Sequence, residues 1–284
     1  DDRSGLPIEL GIFEAAPIDV SGGFAGGSLF YPVAVEQRAV DRHGQVVHRY
    51  ETMVVRSDGA LLSADPLPAP CGTASSSRVL ALSDGTRIRG LPAGSQAGTW
   101  SFGSIRAFVE WRKGRSARPF RDLSDLLADT ERYVRSRVWL PDDDAHAVVA
   151  TFVAMTHVHQ VFEALPILLA VGPPASGKSE LGEAVARLSF NGTVAGQLRA
   201  AGMVRFLDET HGLLVLDDMD GIGSASIDGD GEIAQALKSG YKRSSARKPV
   251  ADRGGRVRMV DFFGPKMISR TRLPTPVLGS RMIA

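Results

Sequence analysis

The first part of the chain alternates between apolar and polar positions with a period close to two. The alternation runs through three Val-rich segments, "FYPVAVEQRAV", "QVVHRYETMVVRS" and "RVLALSDGTRIRGL". Short polar or glycine-containing turns, "DRHGQ", "SDGA" and "SDGT", interrupt it. This pattern is typical of strands with one buried face. We therefore predict a β-rich N-terminal domain over residues 1–118, in which we identify no catalytic constellation.

The apolar spacing changes to a helical period near residue 120. The stretch "FRDLSDLLADTERYVRSRVWL" places apolar residues three and four positions apart, which predicts a helix. Asp142 to Asp144 are suited to capping the start of a second helix. That helix is predicted to carry one apolar stripe, formed by Val148, Phe152, Met155 and Phe162. We interpret residues 119–163 as a helical connector.

From Leu165 onward the pattern becomes strand, glycine-rich turn, helix, strand, helix, strand. The three predicted strands lie in "ILLAV" after Pro166, in "HGLLVLDDMD" and in "MVDFFGPKMIS". Strands that alternate with helices favour an α/β fold with a parallel sheet. We assign this domain to residues 164–284.

Composition narrows the class of protein. The chain has 284 residues, 43% of them hydrophobic and 23% charged, which suits one large or two medium globular domains. The single cysteine, Cys71, excludes an internal disulfide framework and indicates a reducing, cytoplasmic setting. No apolar run approaches the roughly 20 residues of a membrane span, so no membrane partner is expected. The chain lacks an initial methionine and stops at Ala284 after a strand-like segment, so we expect both ends to be edges of a longer protein.

Charge is distributed unevenly along the second half of the chain. Residues 207–237 hold eight acidic residues and no Lys or Arg, a net charge of −8. Residues 238–281 hold twelve basic and two acidic residues, a net charge of +10. The two segments are either a cation site followed by an anion-binding surface, or two solvated faces that partly neutralise each other.

A phosphate-binding motif gives the first chemical prediction. Residues 172–179, "GPPASGKS", fit the pattern G-x-x-x-x-G-K-[ST] after an apolar strand and before a helical pattern. In such a loop the backbone N–H groups bind phosphates, Lys178 reaches the β- and γ-phosphates, and the Ser179 hydroxyl binds Mg²⁺. We predict that ATP and Mg²⁺ bind here. The predicted nucleotide-binding residues are Gly172, Pro173, Pro174, Ala175, Ser176, Gly177, Lys178, Ser179 and Glu180.

Acidic residues at the end of "LLVLDD" complete the predicted site. A carboxylate at the end of a neighbouring strand is the usual second Mg²⁺ group, and Asp217 has this position. Asp218 follows it and is the candidate for activating the attacking water. The alternative for Asp218 is a solvated turn carboxylate.

These segments, taken together, resemble one group of ATPases. "LLVLDDMD", "IAQALKSGYKRSS" and "FFGPKMISRTRLPTPVLGSRMI" are similar to AAA+-like ATPases of plasmids, phages and other mobile elements. That group is found in primase-helicase proteins and is related in layout to superfamily-3 helicases. The resemblance covers about residues 145–284. The chain departs from the group in carrying Asp218 where a glutamate is usual, and in having no lid segment after Ala284.

The resemblance implies a ring, expected to be hexameric, in which each nucleotide lies between two subunits. It places Arg281 as an arginine finger that reaches the neighbour's γ-phosphate, a task suited to a forked, always charged guanidinium. A surface arginine after a turn is the alternative. The resemblance also implies a polar sensor near the γ-phosphate, which is either Ser269 or Thr271.

A basic hairpin is predicted between the acidic segment and the last strands. "SSARKPVADRGGRVRMVDFF" indicates strand, Gly-Gly turn, strand. In ring helicases related to this group, such a hairpin projects into the pore and follows DNA phosphates, which requires basic side chains but no base readout. The candidate DNA-binding residues are Lys248, Arg253, Arg256 and Arg258. The alternative is a basic surface hairpin.

Two classes of function follow from these features. The leading hypothesis is a Mg-ATP-dependent ring ATPase that acts as a helicase or translocase on DNA, expected to be single-stranded and bound without sequence preference, in the replication of a mobile element. The alternative is an AAA+-type regulatory or remodelling ATPase with a protein partner. A small-molecule kinase fits less well, because that class needs an acceptor pocket and a mobile lid.

Overall fold

In the computed structural model, residues 18–19, 23–67, 79–89, 99–116, 122–220, 231–251 and 257–284 are described. The N-terminal part forms a mainly antiparallel sheet of eight strands. They are β1 (Ile18–Asp19), β2 (Gly23–Ala25), β3 (Ser28–Val40), β4 (Val46–Arg56), β5 (Leu61–Pro66), β6 (Val79–Leu82), β7 (Arg87–Arg89) and β8 (Thr99–Ser101). Their order is β1-β7-β6-β5-β4-β3-β2, with β8 alongside β3. The predicted β-rich N-terminal region is confirmed.

The turns of this sheet follow from their side chains. The Asp41 carboxylate accepts hydrogen bonds from the backbone N–H of His43 and Gln45, which closes the β3–β4 turn. Phe30, Val54, Leu62, Leu80 and Ile88 belong to the buried cluster of this sheet. Small polar turns and alternating Val and Leu residues thus account for the hairpins.

A helix follows β8 where the sequence prediction had only strands. This helix, α1, spans Phe102–Arg112. Phe108 and Val109 pack beside Val55 of the sheet. Ile105, Phe108 and Val109 have helical spacing, but the run is short and close to the strands, so the pattern was assigned to the β-rich domain.

Two helices lead into the second sheet, α2 (Leu123–Arg137) and α3 (Asp143–His157). The side chain of Asp142 accepts a hydrogen bond from the N–H of Asp144 at 3.0 Å, so the predicted N-cap is present. The predicted apolar stripe was wrong. Val148 is 39% exposed, and Phe162 lies beyond the end of the helix, because α3 stops at His157. The buried face instead carries Val149, Ala150, Phe152, Val153 and Thr156.

The second sheet is parallel and carries the phosphate motif. Its strands are β9 (Ile167–Val171), β10 (Thr193–Ala195), β11 (Leu214–Leu216), β14 (Lys266–Arg270) and β15 (Met282–Ile283). Their order is β10-β11-β14-β9-β15, and every described pairing is parallel. Connecting helices are α4 (Lys178–Leu188), α5 (Ala200–Thr210), α6 (Glu232–Gly240) and α7 (Pro276–Gly279). The predicted α/β fold with a parallel sheet is therefore present.

The predicted third strand is divided into two elements. β13 (Val257–Asp261) pairs antiparallel with β12 (Arg247–Ala251) outside the parallel sheet. β14 begins only at Lys266, after Gly264 and Pro265. Proline has no N–H for a ladder, so the run "MVDFFGPKMIS" cannot continue as one central strand.

Side chains alternate between the two faces of the parallel sheet. Leu213, Val215 and Met267 pack towards α4, whereas Leu214, Leu216 and Ile268 pack in the cluster with α5 and α6. A sheet covered on both faces explains why its strands are continuous apolar runs. The same alternation decides which polar residues can meet at the carboxyl ends of the strands. No helix in the described ranges is long and apolar enough to cross a membrane.

Candidate nucleotide-binding site

The predicted phosphate loop lies between a buried strand and a helix. β9 ends at Val171, and α4 begins at Lys178. Ala175 and Gly177 have positive φ angles of 61° and 87°. A Cβ on Gly172 would lie 2.6 Å from the Ser176 hydroxyl, so any other residue there would have to displace the Ser176 side chain. The first N–H groups of α4 have no partners within the helix and are available to an anion.

Lys178 folds back over this loop. Its Nζ donates to the carbonyl oxygens of Gly172 at 2.9 Å and Pro173 at 2.7 Å. The ammonium is thus held at the mouth of the loop, within reach of phosphate oxygens there. The remaining predicted loop residues Pro174, Ala175 and Ser176 are exposed.

Glu180 contacts the connector helix, not the loop. Its carboxylate lies 3.7 Å from the guanidinium of Arg137, and both side chains are about half exposed. The neighbouring Val138 side chain would lie 3.5 Å from a Cβ on Gly177. The end of α2 therefore buttresses the loop, a contact that the sequence analysis did not identify.

Three polar side chains meet beside the loop. The Asp217 carboxylate, just after β11, accepts a hydrogen bond from the Ser269 hydroxyl, and the Ser179 hydroxyl is near enough to lower its pKa. Burial alone would raise the pKa of Asp217, but the two hydroxyls, the Asp218 N–H and the charge of Lys178 leave it lowered. Asp217 is therefore a carboxylate at neutral pH.

This cluster fits a magnesium ion. Mg²⁺ prefers oxygen ligands and takes only one or two from protein, with waters and phosphate oxygens completing its shell. The Ser179 hydroxyl and the Asp217 carboxylate are neighbours, since Ser179 lowers the pKa of Asp217. Within the described part of the chain, no group of three or more His, Cys, Asp or Glu side chains is placed to hold a metal. A nucleotide-linked Mg²⁺ does not need such a group.

Asp218 is held in an unusual backbone conformation. Its φ is 54°, in the left-handed region, and its N–H donates to the Ser269 hydroxyl at 2.9 Å. Its carboxylate is exposed, next to the buried end of β11. The strained backbone turns this side chain away from the direction that a continuing strand would give it.

Geometry separates the two candidate sensors. Ser269 lies between Asp217 and Asp218, whereas the Thr271 hydroxyl donates to the Asp220 carboxylate at 2.9 Å. The Thr271 N–H donates to the same carboxylate and, with the hydroxyl, lowers the pKa of Asp220. Only Ser269 therefore contacts the predicted magnesium carboxylate.

Arg281 lies at the opposite edge of the sheet from the loop. Its carbonyl accepts the N–H of Ile167, the first residue of β9. Its guanidinium is stacked 5.0 Å from the centre of the Tyr241 ring and donates to the Val277 carbonyl. Gly172 lies five residues further along the strand, about 17 Å away, which no side chain spans.

The hairpin is present, but its tip, with Arg253 and Arg256, lies outside the described residues. Arg258 forms an ion pair with Asp208 of α5 at 2.9 Å. Lys248 is exposed. The outward face of the hairpin includes an apolar part, because Pro249 pairs with Met259 and Ala251 with Val257, and Met259 and Val257 are 58% and 69% exposed. The pair of Arg247 and Asp261 lies on the same face at the base of the hairpin.

Two buried cations were missed by the sequence analysis. Lys266 is 1% exposed and Arg270 is 2% exposed, both on β14. Charged residues inside a strand are usually assigned to a solvated face, so hydropathy gave no signal for them. The cue available in the sequence was the segment "GPK", whose lysine begins β14.

Comparisons with known proteins give similarities among solved structures alone. No protein-family model and no curated protein matches the chain. Among solved structures, the JCV helicase bound to N-(4-(2-(thiazolo[5,4-c]pyridin-2-yl)phenoxy)phenyl)acetamide is similar at 15% identity with a TM-score of 0.37. The match covers 64% of this chain and 57% of that helicase chain. This similarity is too distant to assign a function.

Proposed function

We propose that this protein is a Mg-ATP-dependent ATPase that works as an oligomeric ring and moves along single-stranded DNA, as a helicase or translocase in the replication of a mobile element. One observation carries the proposal. The Ser179 hydroxyl, the Asp217 carboxylate and the Ser269 hydroxyl meet beside a glycine-rich loop at the start of a helix. Loop, hydroxyl and carboxylate are the parts that phosphoryl transfer requires.

Each residue of the site has a role in this proposal. The loop N–H groups and Lys178 bind and neutralise the phosphates. Ser179 and Asp217 would hold Mg²⁺, which when bound supplies charge neutralisation at the phosphate oxygens. Ser269 keeps Asp217 ionised and in place. The Asp218 carboxylate is free to orient the attacking water.

Two other acidic residues are less suited to that last role. The Asp220 carboxylate already accepts two hydrogen bonds from Thr271. Glu209 lies on α5 before β11 begins, so it is at the amino edge of the sheet, away from the loop. Asp218 is therefore our candidate for activating water.

The test of the proposal is Lys178→Ala, compared with Lys242→Ala. Lys242 is an exposed lysine bridged to Ala164 at the amino edge of the sheet, so it serves as a matched control. We expect wild type and Lys242→Ala to hydrolyse ATP with Mg²⁺. Lys178→Ala should lose at least about 100-fold in kcat, because a preorganised charge at the phosphates is removed. Its circular dichroism and Tm should stay within the range of the control. Undiminished hydrolysis by Lys178→Ala would refute the proposal.

The hairpin supports a second candidate for what the hydrolysis drives. Its outward face exposes Met259 and Val257, and Arg258 is paired with Asp208, which suits a protein partner better than DNA phosphates. A regulatory or remodelling ATPase is therefore the alternative. ATPase rates measured with and without single-stranded DNA separate the two. Stimulation independent of sequence supports the motor, and oligomers without any DNA effect support the alternative.

A further inference from the structure

The turn after β11 is held by three consecutive residues at the end of β14. The Ser269 hydroxyl binds Asp217 and the Asp218 N–H, and the Ser269 carbonyl accepts the N–H of Met219 at 3.1 Å. Arg270 donates from Nη2 to the Asp220 carbonyl at 3.0 Å. Thr271 donates its N–H and its hydroxyl to the Asp220 carboxylate, at 2.6 and 2.9 Å. Every residue of the turn from Asp217 to Asp220 is thus attached to β14.

Burying Arg270 to make one of these hydrogen bonds is unfavourable for stability. It is 2% exposed, and its Nε and Nη1 have no hydrogen-bond partner among the described residues. Burial lowers the pKa of Arg270, although the charge of Asp220 opposes this effect. A buried guanidinium with unmade hydrogen bonds destabilises a fold, and an apolar side chain of similar volume is often better tolerated. Stability therefore does not explain an arginine at this position.

The position of the Asp218 carboxylate does explain it. Asp218 has a φ of 54°, a conformation that a non-glycine residue keeps only when its surroundings hold it. Ser269 fixes this residue from the Asp217 side, and the bonds to Asp220 fix it from the other side. Without the second attachment, the turn is free to relax towards an ordinary backbone conformation.

We propose that Arg270 and Thr271 are positioning residues that, by clamping Asp220, aim the Asp218 carboxylate at the attacking water. The proposal rests on the ATPase function proposed above. Both residues act through the turn, because their side chains donate to Asp220. ATP binding depends on the loop and Lys178. The Arg270 carbonyl accepts the N–H of Gly172 in the loop at 3.1 Å, a backbone bond that a side-chain substitution leaves in place.

The experiment compares Arg270→Met with Arg272→Met. Arg272 is an exposed arginine two residues further on and serves as the matched control. We expect Arg270→Met to lose about 10- to 100-fold in kcat, since small misplacement of a catalytic group costs this much. Its KM should stay within about threefold of wild type, because the loss is in the transition state alone. Its Tm should be equal to or above that of wild type, because an unsatisfied buried cation is gone.

Two further variants keep the proposal testable if Arg270→Met does not fold. Arg270→Lys retains charge and one donor for the Asp220 carbonyl, and it should recover part of the lost kcat. Thr271→Val removes one bond to the Asp220 carboxylate without changing a buried charge, and it should lower kcat with KM unchanged.

Three results would overturn the proposed positioning role of Arg270 and Thr271. Turnover in Arg270→Met and Thr271→Val equal to that of Arg272→Met would overturn the clamp while leaving the ATPase intact. A fall in kcat that only follows a fall in Tm would show a structural role and would also overturn it. Absence of hydrolysis in wild type would overturn the ATPase and the clamp together.

Discussion

Arg281 should serve the neighbouring subunit's nucleotide and not its own. Its carbonyl is bonded to Ile167, and its own Gly172 is five strand residues away, about 17 Å at 3.3 Å per residue. To act in trans, the guanidinium must leave the Tyr241 ring, a contact worth about 0.5–1 kcal/mol at a partly exposed site. It must also give up its hydrogen bond to the Val277 carbonyl, a bond that contributes about 0.5–1.5 kcal/mol. These costs are small beside the factor of about 10³–10⁵ in kcat that an arginine finger supplies.

Mixing two inactive variants tests this directly. We expect Arg281→Ala to fold and bind ATP but to hydrolyse it very slowly, as Lys178→Ala does for a different reason. In a ring with head-to-tail contacts, a mixed interface can pair an intact Lys178 on one subunit with an intact Arg281 on the next. Random equimolar mixing makes about one quarter of the interfaces competent, so about a quarter of the wild-type rate should return. No recovery, with mixed oligomers confirmed by native mass spectrometry, would refute the shared site.

Three further predictions concern the water activator, the hairpin and pH. Asp218→Asn should keep ATP affinity, measured by fluorescent-nucleotide titration, and stop hydrolysis. Surviving turnover would exclude Asp218 as activator. Lys248→Gln should reduce the slope of log DNA affinity against log salt by roughly one, whereas Arg258→Gln should reduce it less because Asp208 already neutralises that guanidinium. Equal, unchanged slopes would mean the hairpin does not contact DNA. Burial lowers the pKa of His159 from 6.5 to about 3. Between these two pH values His159 is protonated in the unfolded chain but not in the folded one. The free energy of unfolding should therefore fall as pH drops below 6.5, by about 2 kcal/mol at pH 5. Urea titrations at several pH values should show that the stability of His159→Phe declines less with falling pH than that of wild type. An identical decline would contradict the role of His159 in this pH dependence.

The strand, loop and helix around the phosphate motif could be predicted from sequence because they are local. The strand, glycines, lysine and helix are contiguous, so period and motif together specify strand, loop and helix. The choice between Ser269 and Thr271 could not be made, because residues two apart on a strand point to the same face. What separates them is where the strand ends. After Arg270 the chain turns, and the Thr271 hydroxyl is directed at Asp220.

Contacts between distant segments explain the remaining differences. Arg258 has the composition of a phosphate contact, but Asp208 lies fifty residues earlier, and only packing of the hairpin on α5 brings them together. Lys266 and Arg270 count as polar in any periodicity analysis, although both are inside. Charge and spacing in the sequence identify residues that could bind a ligand. Tertiary packing decides which of these side chains remain unpaired and exposed in the folded protein.

A short segment between β13 and β14 connects the hairpin to the candidate catalytic site, and Lys266 stiffens this connection. Its Nζ donates to the carbonyls of Gly240 at 2.9 Å, Phe262 at 3.3 Å and Gly264 at 2.8 Å. Burial lowers the pKa of Lys266 to about 7, yet three acceptors match the three N–H donors of the ammonium, whereas a neutral amine would leave one acceptor unpaired. The charged form therefore ties the end of α6, the exit of the hairpin and the start of β14 into one body. A displacement of Ser269 during ATP hydrolysis would then move the hairpin as a unit and would not be absorbed at Gly264, which is what a motor or a remodelling ATPase requires of either partner.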